Sequence, residues 1–427
     1  MKKLIALLMA AVLVLSFAAC GGKTADNKTT ADQSTTVDKD LKIGIILVGD
    51  ENEGYTEAHI KGIKEAAANV GIPDDQIIWK YRIAEDETCY DTAMDLADMG
   101  CKYIFSNSYS HQSYMVQAAE ENPDIIFCPA TGDTAAVCGL DNVKNYFTNV
   151  YESRYVSGVV AGMKVAELLK DNKIPASGID KDGNVKIGYV GAYPYAEVVS
   201  GYTAFFLGIR SIVENVAMEV TYTNSWFNIT AEAEAANRLM ADGCVIIGQH
   251  ADSTGAPSAV EAALKKGQVA YSVGYNVDML SVAPTAALTS ATNVWSVYYS
   301  YAFKCAISGE DIATDWCKGY SDDAVAITDL GASCAPGTKE KVDETIDKIK
   351  SGELHVFSTD TFTVEGNTLT EHDFDFSTMN ADFTEVLYKG ETINVISDGY
   401  FHESEYRSAP YFDLRIDGIT ELSAENK

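Results

Sequence analysis

A strand, loop and helix that recur at one fixed spacing constrain this chain more than any other feature. Between Leu41 and Val70 an unbroken apolar run, Ile43 to Val48, reads as a strand buried on both faces. A glycine-bearing turn follows, Gly49 to Gly54, and then Ile60, Ile63, Ala67 and Val70 recur at helical spacing around Lys61, Lys64 and Glu65. This is the opening of a βαβ unit. Lys186-Ile187-Gly188-Tyr189-Val190 echoes Lys42-Ile43-Gly44-Ile45-Ile46, with the glycines 188 − 44 = 144 residues apart. Leu96-Ala97-Asp98-Met99-Gly100-Cys101 is answered by Leu239-Met240-Ala241-Asp242-Gly243-Cys244 at 243 − 100 = 143. Two matched pieces in register predict two similarly folded lobes. In open α/β sheets the ligand sits where strands end, which puts Asp50, Glu53 and Tyr55 at a binding edge.

Further strand-like runs at Ile77 to Ile83, Tyr103 to Ser106 and Ile125 to Cys128 alternate with helical patterns, as an α/β fold with a mostly parallel sheet requires. Val150 to Leu169 reads as a long helix after the first crossing between lobes. Its small residues Ser157, Gly158, Ala161 and Gly162 would let another backbone approach closely. Strands at Val185 to Val190, Met218 to Thr223, Val245 to Ile247 and Val269 to Val273 build the second lobe, and the chain crosses back after Asp278. The expected boundaries are 41–150 and 285–320 for the first lobe, 151–284 and 321–352 for the second, and 353–427 for a β-rich extension. In that extension His355 to Phe357 and Thr392 to Ile396 alternate with polar turns.

Lys2 and Lys3 ahead of the apolar run Leu4 to Leu15, closed by Phe17-Ala18-Ala19-Cys20, read as a signal peptide over 1–19. The junction resembles a bacterial lipobox, which would make Cys20 the lipidated first residue of a mature, membrane-anchored, extracytoplasmic protein. Residues 20–40 read as the tether. No later stretch is apolar for long enough to span a bilayer, so the anchor would be the lipid alone. The formal charge of −30 becomes −32 once Lys2 and Lys3 leave with the signal. Such a chain repels nucleic acid, and the expected ligand is neutral or weakly charged. Cys89, Cys101, Cys128, Cys138, Cys244, Cys305, Cys317 and Cys334 are even in number, which permits disulfides; several sit in apolar runs, which fits buried thiols, and the pairing stays open. No C-x-x-C pair or cysteine and histidine cluster points to a metal.

No G-x-S-x-G elbow, phosphate loop, H-E-x-x-H or dinucleotide fingerprint occurs, so neither a catalytic residue nor a cofactor is expected. Tyr55 follows the first strand and Tyr109 the strand ending near Ser106; Trp226 and His250 occupy matching loops of the second lobe. A flat aromatic ligand needs rings for its faces, which Tyr55 and Trp226 can supply, and acids or amides for its edge, for which Asp50, Asn276 and Asp278 are candidates. Each aromatic alone also fits its own lobe's core, Asp50 also fits a turn or helix cap, and His250 fits a hydrogen-bonded loop histidine better than a catalyst.

At Gly54-Tyr55-Thr56-Glu57-Ala58-His59, Ile187-Gly188-Tyr189-Val190-Gly191-Ala192-Tyr193-Pro194, Asn224-Ser225-Trp226-Phe227, Gly248-Gln249-His250-Ala251-Asp252-Ser253 and Gly274-Tyr275-Asn276-Val277-Asp278-Met279 the chain resembles the basic membrane protein (BMP) family of substrate-binding lipoproteins. These serve ABC importers and bind purine nucleosides or bases. The resemblance runs from Leu41 to about Gly352. It implies the type I periplasmic-binding-protein fold, two Rossmann-like lobes joined by a hinge that close on a purine, with an ABC permease as partner, a monomeric receptor and no enzymatic activity. It also implies that Tyr55 and Trp226 stand where the family stacks a base. The family's nucleoside binders carry an Asp-x-Ser-Phe-Asn loop where this chain has Glu53-Gly54-Tyr55-Thr56, an aspartate where Asn276 stands, and a lysine for the ribose near the position of Asn293. These departures favour a base such as adenine over a nucleoside. A receptor for a sugar or signalling molecule on the same fold stays open, as does a surface enzyme acting on nucleosides, which the missing nucleophile and base disfavour.

Overall fold

The computed structural model describes residues 37–380 and 384–422; Cys20, the expected signal peptide over 1–19 and most of the expected tether lie outside them. The first strand, β1 (Ile43–Ile46), is buried along its length, as an apolar run covered on both faces must be. Helix α1 (Gly54–Val70) starts where the Glu53 carboxylate accepts from the Tyr55 and Thr56 amides, and stops at Gly71, whose φ of 80° suits glycine. Strand β2 (Ile77–Lys80), α2 (Glu87–Asp98), β3 (Tyr103–Ser106), α3 (Gln112–Glu121), β4 (Ile126–Pro129) and β5 (Asn145–Thr148) follow. The parallel order is β2-β1-β3-β4, and isolated bridges at Phe127–Val143 and Ala130–Tyr146 lead on to β5.

The second lobe begins with α4 (Val150–Lys170) and continues through β6 (Val185–Gly191), α5 (Ala196–Arg210), β7 (Val216–Tyr222), α6 (Ile229–Ala241), β8 (Ile246–His250), α7 (Gly255–Lys265), β9 (Tyr271–Tyr275) and β10 (Ala287–Asn293). Then α8 (Trp295–Ser308) packs on α1 and β11 (Asp315–Lys318) pairs in parallel with β5, both in the first lobe. The chain returns for β12 (Val325–Ile327), antiparallel to β10, and α9 (Thr338–Lys350). The second sheet therefore runs β12-β10-β9-β8-β6-β7. Strand β10 corrects the expected boundary: residues 287–293 belong to the second sheet, so the return to the first lobe comes only at α8. The sequence pattern there is ambiguous, since Ala287-Leu288-Thr289-Ser290-Ala291 has no turn before it strong enough to mark a crossing.

The duplication is visible in contacts. A Cβ on Gly44 would meet Leu96 Cδ1 at 2.8 Å, and one on Gly188 would meet Leu239 Cβ at 3.0 Å, so each lobe uses the same glycine to let the same helix leucine onto its central strand. Lys42 Nζ donates to Met99 O and Lys186 Nζ to Asp242 O, both at 2.8 Å, where the orphan carbonyls of α2 and α6 need donors. Gly100 and Gly243 both take positive φ, at 85° and 105°. Small residues on α4 admit α5 as their type predicts: a Cβ on Gly158 would run into the Phe205 carbonyl, and one on Gly208 into the Tyr155 carbonyl.

Three crossings join the lobes, and hydrogen bonds tie them together: Thr148 Oγ1 donates to Asn293 Oδ1 at 2.5 Å, Val294 N to Ala324 O at 2.8 Å and Asn149 N to Lys318 O at 2.9 Å. Past 353 the chain forms short strands and turns whose Val356, Phe357, Phe401, Tyr411 and Phe412 enter one apolar core with Ile187, Phe205 and Val220 of the second lobe. Its strand Ile419–Glu421 pairs in parallel with β7 and covers the edge of the second sheet. The eight cysteines within the described residues are free, and no helix among those residues is long and apolar enough to cross a membrane.

Candidate functional site

The C-terminal ends of β1 to β4 in one lobe and β6 to β9 in the other open onto one cavity of about 310 Å³. The first lobe contributes Asp50, Glu53 and Tyr55 after β1, Arg82 and Glu85 after β2, Asn107 to Tyr109 after β3 and Thr131 after β4. The second contributes Glu197 after β6, Trp226 and Phe227 after β7, Asp252 after β8 and Tyr275 at the end of β9. This is the position that open parallel sheets reserve for ligands. The lobes touch across it, since a Cβ on Gly54 would lie 3.2 Å from the Asp252 carbonyl oxygen. Tyr55 presents its edge to His59 at 4.6 Å and to Trp295 at 6.1 Å. Its buried hydroxyl has no protein partner and so is available to a ligand.

Of the residues expected at the site, Asp50, Tyr55, Tyr109 and Trp226 line the cavity. Asp50 does so with its oxygens engaged, accepting from the Asn52 amide and side chain at 2.9 Å and pairing with Arg82. The Asn52 backbone bond is the main reason its carboxyl sits below the usual range. Tyr109 donates from its hydroxyl to Asp133 at 3.3 Å. The other four lie elsewhere. His250 is fully buried behind the wall, 3.3 Å from Glu197, and burial followed by Arg154 holds its imidazole well below its ordinary pKa, hence neutral. Asn276, at φ 64°, donates to Asp252 Oδ1 at 2.7 Å and so orients a wall residue. Asn293 lies in the hinge with Thr148. Asp278 is exposed and accepts from the Leu280 amide at 2.8 Å, so it caps a turn and does not reach the cavity.

Of the residues not foreseen at the site, Glu197 and Asp252 line the cavity, and Arg154 lies against the wall residue Tyr275. Arg154 on α4 is 2% exposed; it donates to Gln249 O at 2.6 Å and lies 3.7 Å over the Tyr275 ring, while its Nε and Nη2 have no hydrogen-bond partner. Burial pushes the Glu197 carboxyl up to about 7 against the opposing pull of Arg154. Burial, then Glu53, Glu232 and Glu197, drive Asp252 well above the usual carboxylate range. A protonated carboxyl offers one donor and one acceptor side by side, which suits a neutral ligand with alternating groups along its edge. Thr131, a β-branched residue held at φ 57°, is a strained backbone position at the wall. Glu197 had a usable signal, since the 144-residue repeat carries Glu53 onto it, 53 + 144 = 197.

A pH dependence follows. With Glu197 raised from 4.5 in the unfolded chain to about 7, the folded form binds the extra proton between those values. Its contribution is full below that window and lost as pH rises through 7. The wild type is expected to melt lower at pH 8 than at pH 5, and Glu197→Gln to narrow that gap. An unchanged gap in calorimetry of the variant would remove Glu197 from the account.

A model of the family described as ABC transporter substrate-binding protein PnrA-like (Bmp) matches residues 41–360. The chain is 31% identical to a purine-binding protein of Brucella abortus (strain 2308) over 74% of its length and 83% of the relative's. It is 30% identical to a protein of Haloferax volcanii named as a glucose-binding ABC transporter protein, over 62% of this chain and 61% of that one. Among solved structures, a solute-binding protein of an ABC transporter system from Aeropyrum pernix K1 superposes with a TM-score of 0.60 at 16% identity, covering 78% of this chain and 94% of the other.

Proposed function

The chain belongs to the PnrA-like (Bmp) family of ABC transporter substrate-binding proteins, and within that family we propose that it captures a purine base such as adenine between its two lobes for an importer. Membership makes it an extracytoplasmic solute-binding protein with a small-molecule ligand and a transporter permease as partner. The observation that carries the purine reading is the composition of the cavity wall: Tyr55 from one lobe and Trp226 and Phe227 from the other, beside the carboxyls of Glu197 and Asp252. Rings give sequence-tolerant stacking on a flat heterocycle, and protonated acids give the paired donor and acceptor its edge requires. The purine-binding relative supports the same reading. Attachment through a lipid on Cys20, a monomeric state and the absence of enzymatic activity belong to this proposal. So do the ligand-contacting roles of Tyr55, Tyr109 and Trp226.

Calorimetry with adenine tests it. Trp226→Ala and Tyr55→Ala should each remove stacking of roughly 1 to 3 kcal/mol, or about fivefold to over a hundredfold in affinity, while Phe at either position should cost much less. Wild-type affinity in both Ala variants would put the ligand elsewhere. The glucose-binding name of one relative favours a second reading, a sugar held by the same acids under an aromatic platform. Titration with glucose separates the two: tight glucose binding without adenine binding selects the sugar.

A further inference from the structure

We propose that Arg407, on the C-terminal extension beyond the residues the family model matches, is a positioning residue for the ligand cavity: rooted in the second lobe, it holds Asp133 of the first lobe, and through Asp133 the Tyr109 hydroxyl. The proposal rests on reading that cavity as the ligand site. Arg407 is anchored by its surroundings, with its guanidinium 5.3 to 5.9 Å from the rings of Phe374, Phe376 and Tyr411, the last two being part of the second lobe's core. From there Nη1 reaches Asp133 Oδ2 at 3.4 Å, and the two side chains are only 12% and 9% exposed.

Asp133 is a junction of the first lobe. Its Oδ2 also accepts from Tyr109 at 3.3 Å, its Oδ1 accepts from Gln112 at 3.0 Å, and it lies two residues beyond the strained Thr131. Tyr109 and Thr131 are both cavity wall. The extension grips the same lobe at further points: Thr378 Oγ1 donates to the Asp133 carbonyl at 3.0 Å, Ser408 N to Asp315 Oδ1 at 2.9 Å, and Tyr388 packs on the apolar core around Ile104 and Phe127. The extension is thus a fourth link between lobes otherwise joined by three crossings, and unlike them it must part when the lobes open. A contact present only in the closed form raises the closed fraction, and apparent affinity scales with that fraction.

The test uses the full mature chain, with adenine as probe and small-angle scattering of the ligand-free protein as a readout that needs no ligand. Arg407→Met should enlarge the ligand-free particle, weaken adenine binding roughly tenfold and speed dissociation. In a Tyr109→Phe background the same substitution should weaken binding by clearly less, because the relay has lost its last member. Asp133→Asn, which keeps shape while removing the charge, should reproduce the expansion and serves if the Arg407 variant fails to fold. A folded Arg407 or Asp133 variant with wild-type dimensions and affinity overturns the proposal, as does an equal loss of affinity in the Tyr109→Phe background with no expansion of the ligand-free particle, which would mark Arg407 as merely structural. If the wild type binds no adenine, the purine reading falls, whereas the scattering result still decides this one.

Discussion

Gly54→Val should lower ligand affinity by about a hundredfold or more while leaving the ligand-free protein folded with a near-native melting temperature. Gly54 opens α1, and in the closed arrangement its missing Cβ would stand 3.2 Å from the Asp252 carbonyl oxygen and 3.3 Å from Val277 Cγ2, both on the opposite lobe. A bare Cβ forces a small adjustment; the two methyls of valine have nowhere to go unless the lobes stay apart. The first lobe itself is indifferent, because the first position of a helix accepts valine at a few tenths of a kcal/mol. The substitution therefore separates folding from closure. Calorimetry should find weak or no binding of adenine, and scattering at saturating ligand should find no compaction. Wild-type affinity in the variant would mean that the lobes do not need to meet at Gly54 for binding.

Gly158→Ala should act on the opposite half of that distinction, with a large loss of stability and a secondary effect on binding. Where α4 crosses α5, the backbone of each helix rests on a glycine of the other, Gly158 on the Phe205 carbonyl and Gly208 on the Tyr155 carbonyl. A methyl there cannot move aside, and its neighbour is backbone, so whole helices must separate. Overpacking of a core costs about 1 to 3 kcal/mol where side chains can yield, and a backbone clash belongs at or above the top of that range. The expected fall in melting temperature is about 5 °C or more. Gly208→Ala should match it, and the double variant should be less destabilised than the sum, since the first methyl already opens the crossing. A shift within about 1 °C for both would show that the helices can slide apart freely.

The parts of the fold that were legible in the sequence are those set by local periodicity and by repetition. The Gly44 and Gly188 echo locates both central strands, and the Leu96 and Leu239 echo locates the helices that pack on them, because one packing solution was used twice. The site was legible where the same repeat points: Asp50, Tyr55, Tyr109 and Trp226 all follow strands at the ligand edge. An offset of 143 even carries Tyr109 onto Asp252, 109 + 143 = 252. What could not be read was side-chain direction within a loop. Asn276 and Asp278 stand two residues apart, yet one turns inward to hold Asp252 and the other caps a turn in solvent. Arg154 left no trace, since a buried guanidinium in a helix of small and apolar residues acquires its role only when the fold brings it to the Gln249 carbonyl and the Tyr275 ring.

The strand Ile419–Glu421 on the edge of the second sheet also fixes an order of events during synthesis. Glu421 accepts from Tyr202, 219 residues earlier, at 2.6 Å, and the apolar core it borders draws on residues from 155 to 416. A chain that emerges from its N-terminus can assemble β1 to β4 early, from contacts close in sequence. It cannot complete the second core until nearly all of its length has appeared. Closing so long a loop is slow relative to local pairing, so β1 to β4 can pair while the first lobe still awaits α8 and β11 and the second core is still open. In a protein destined for the far side of a membrane, that delay keeps more than half of the polypeptide threadable until the last strand arrives.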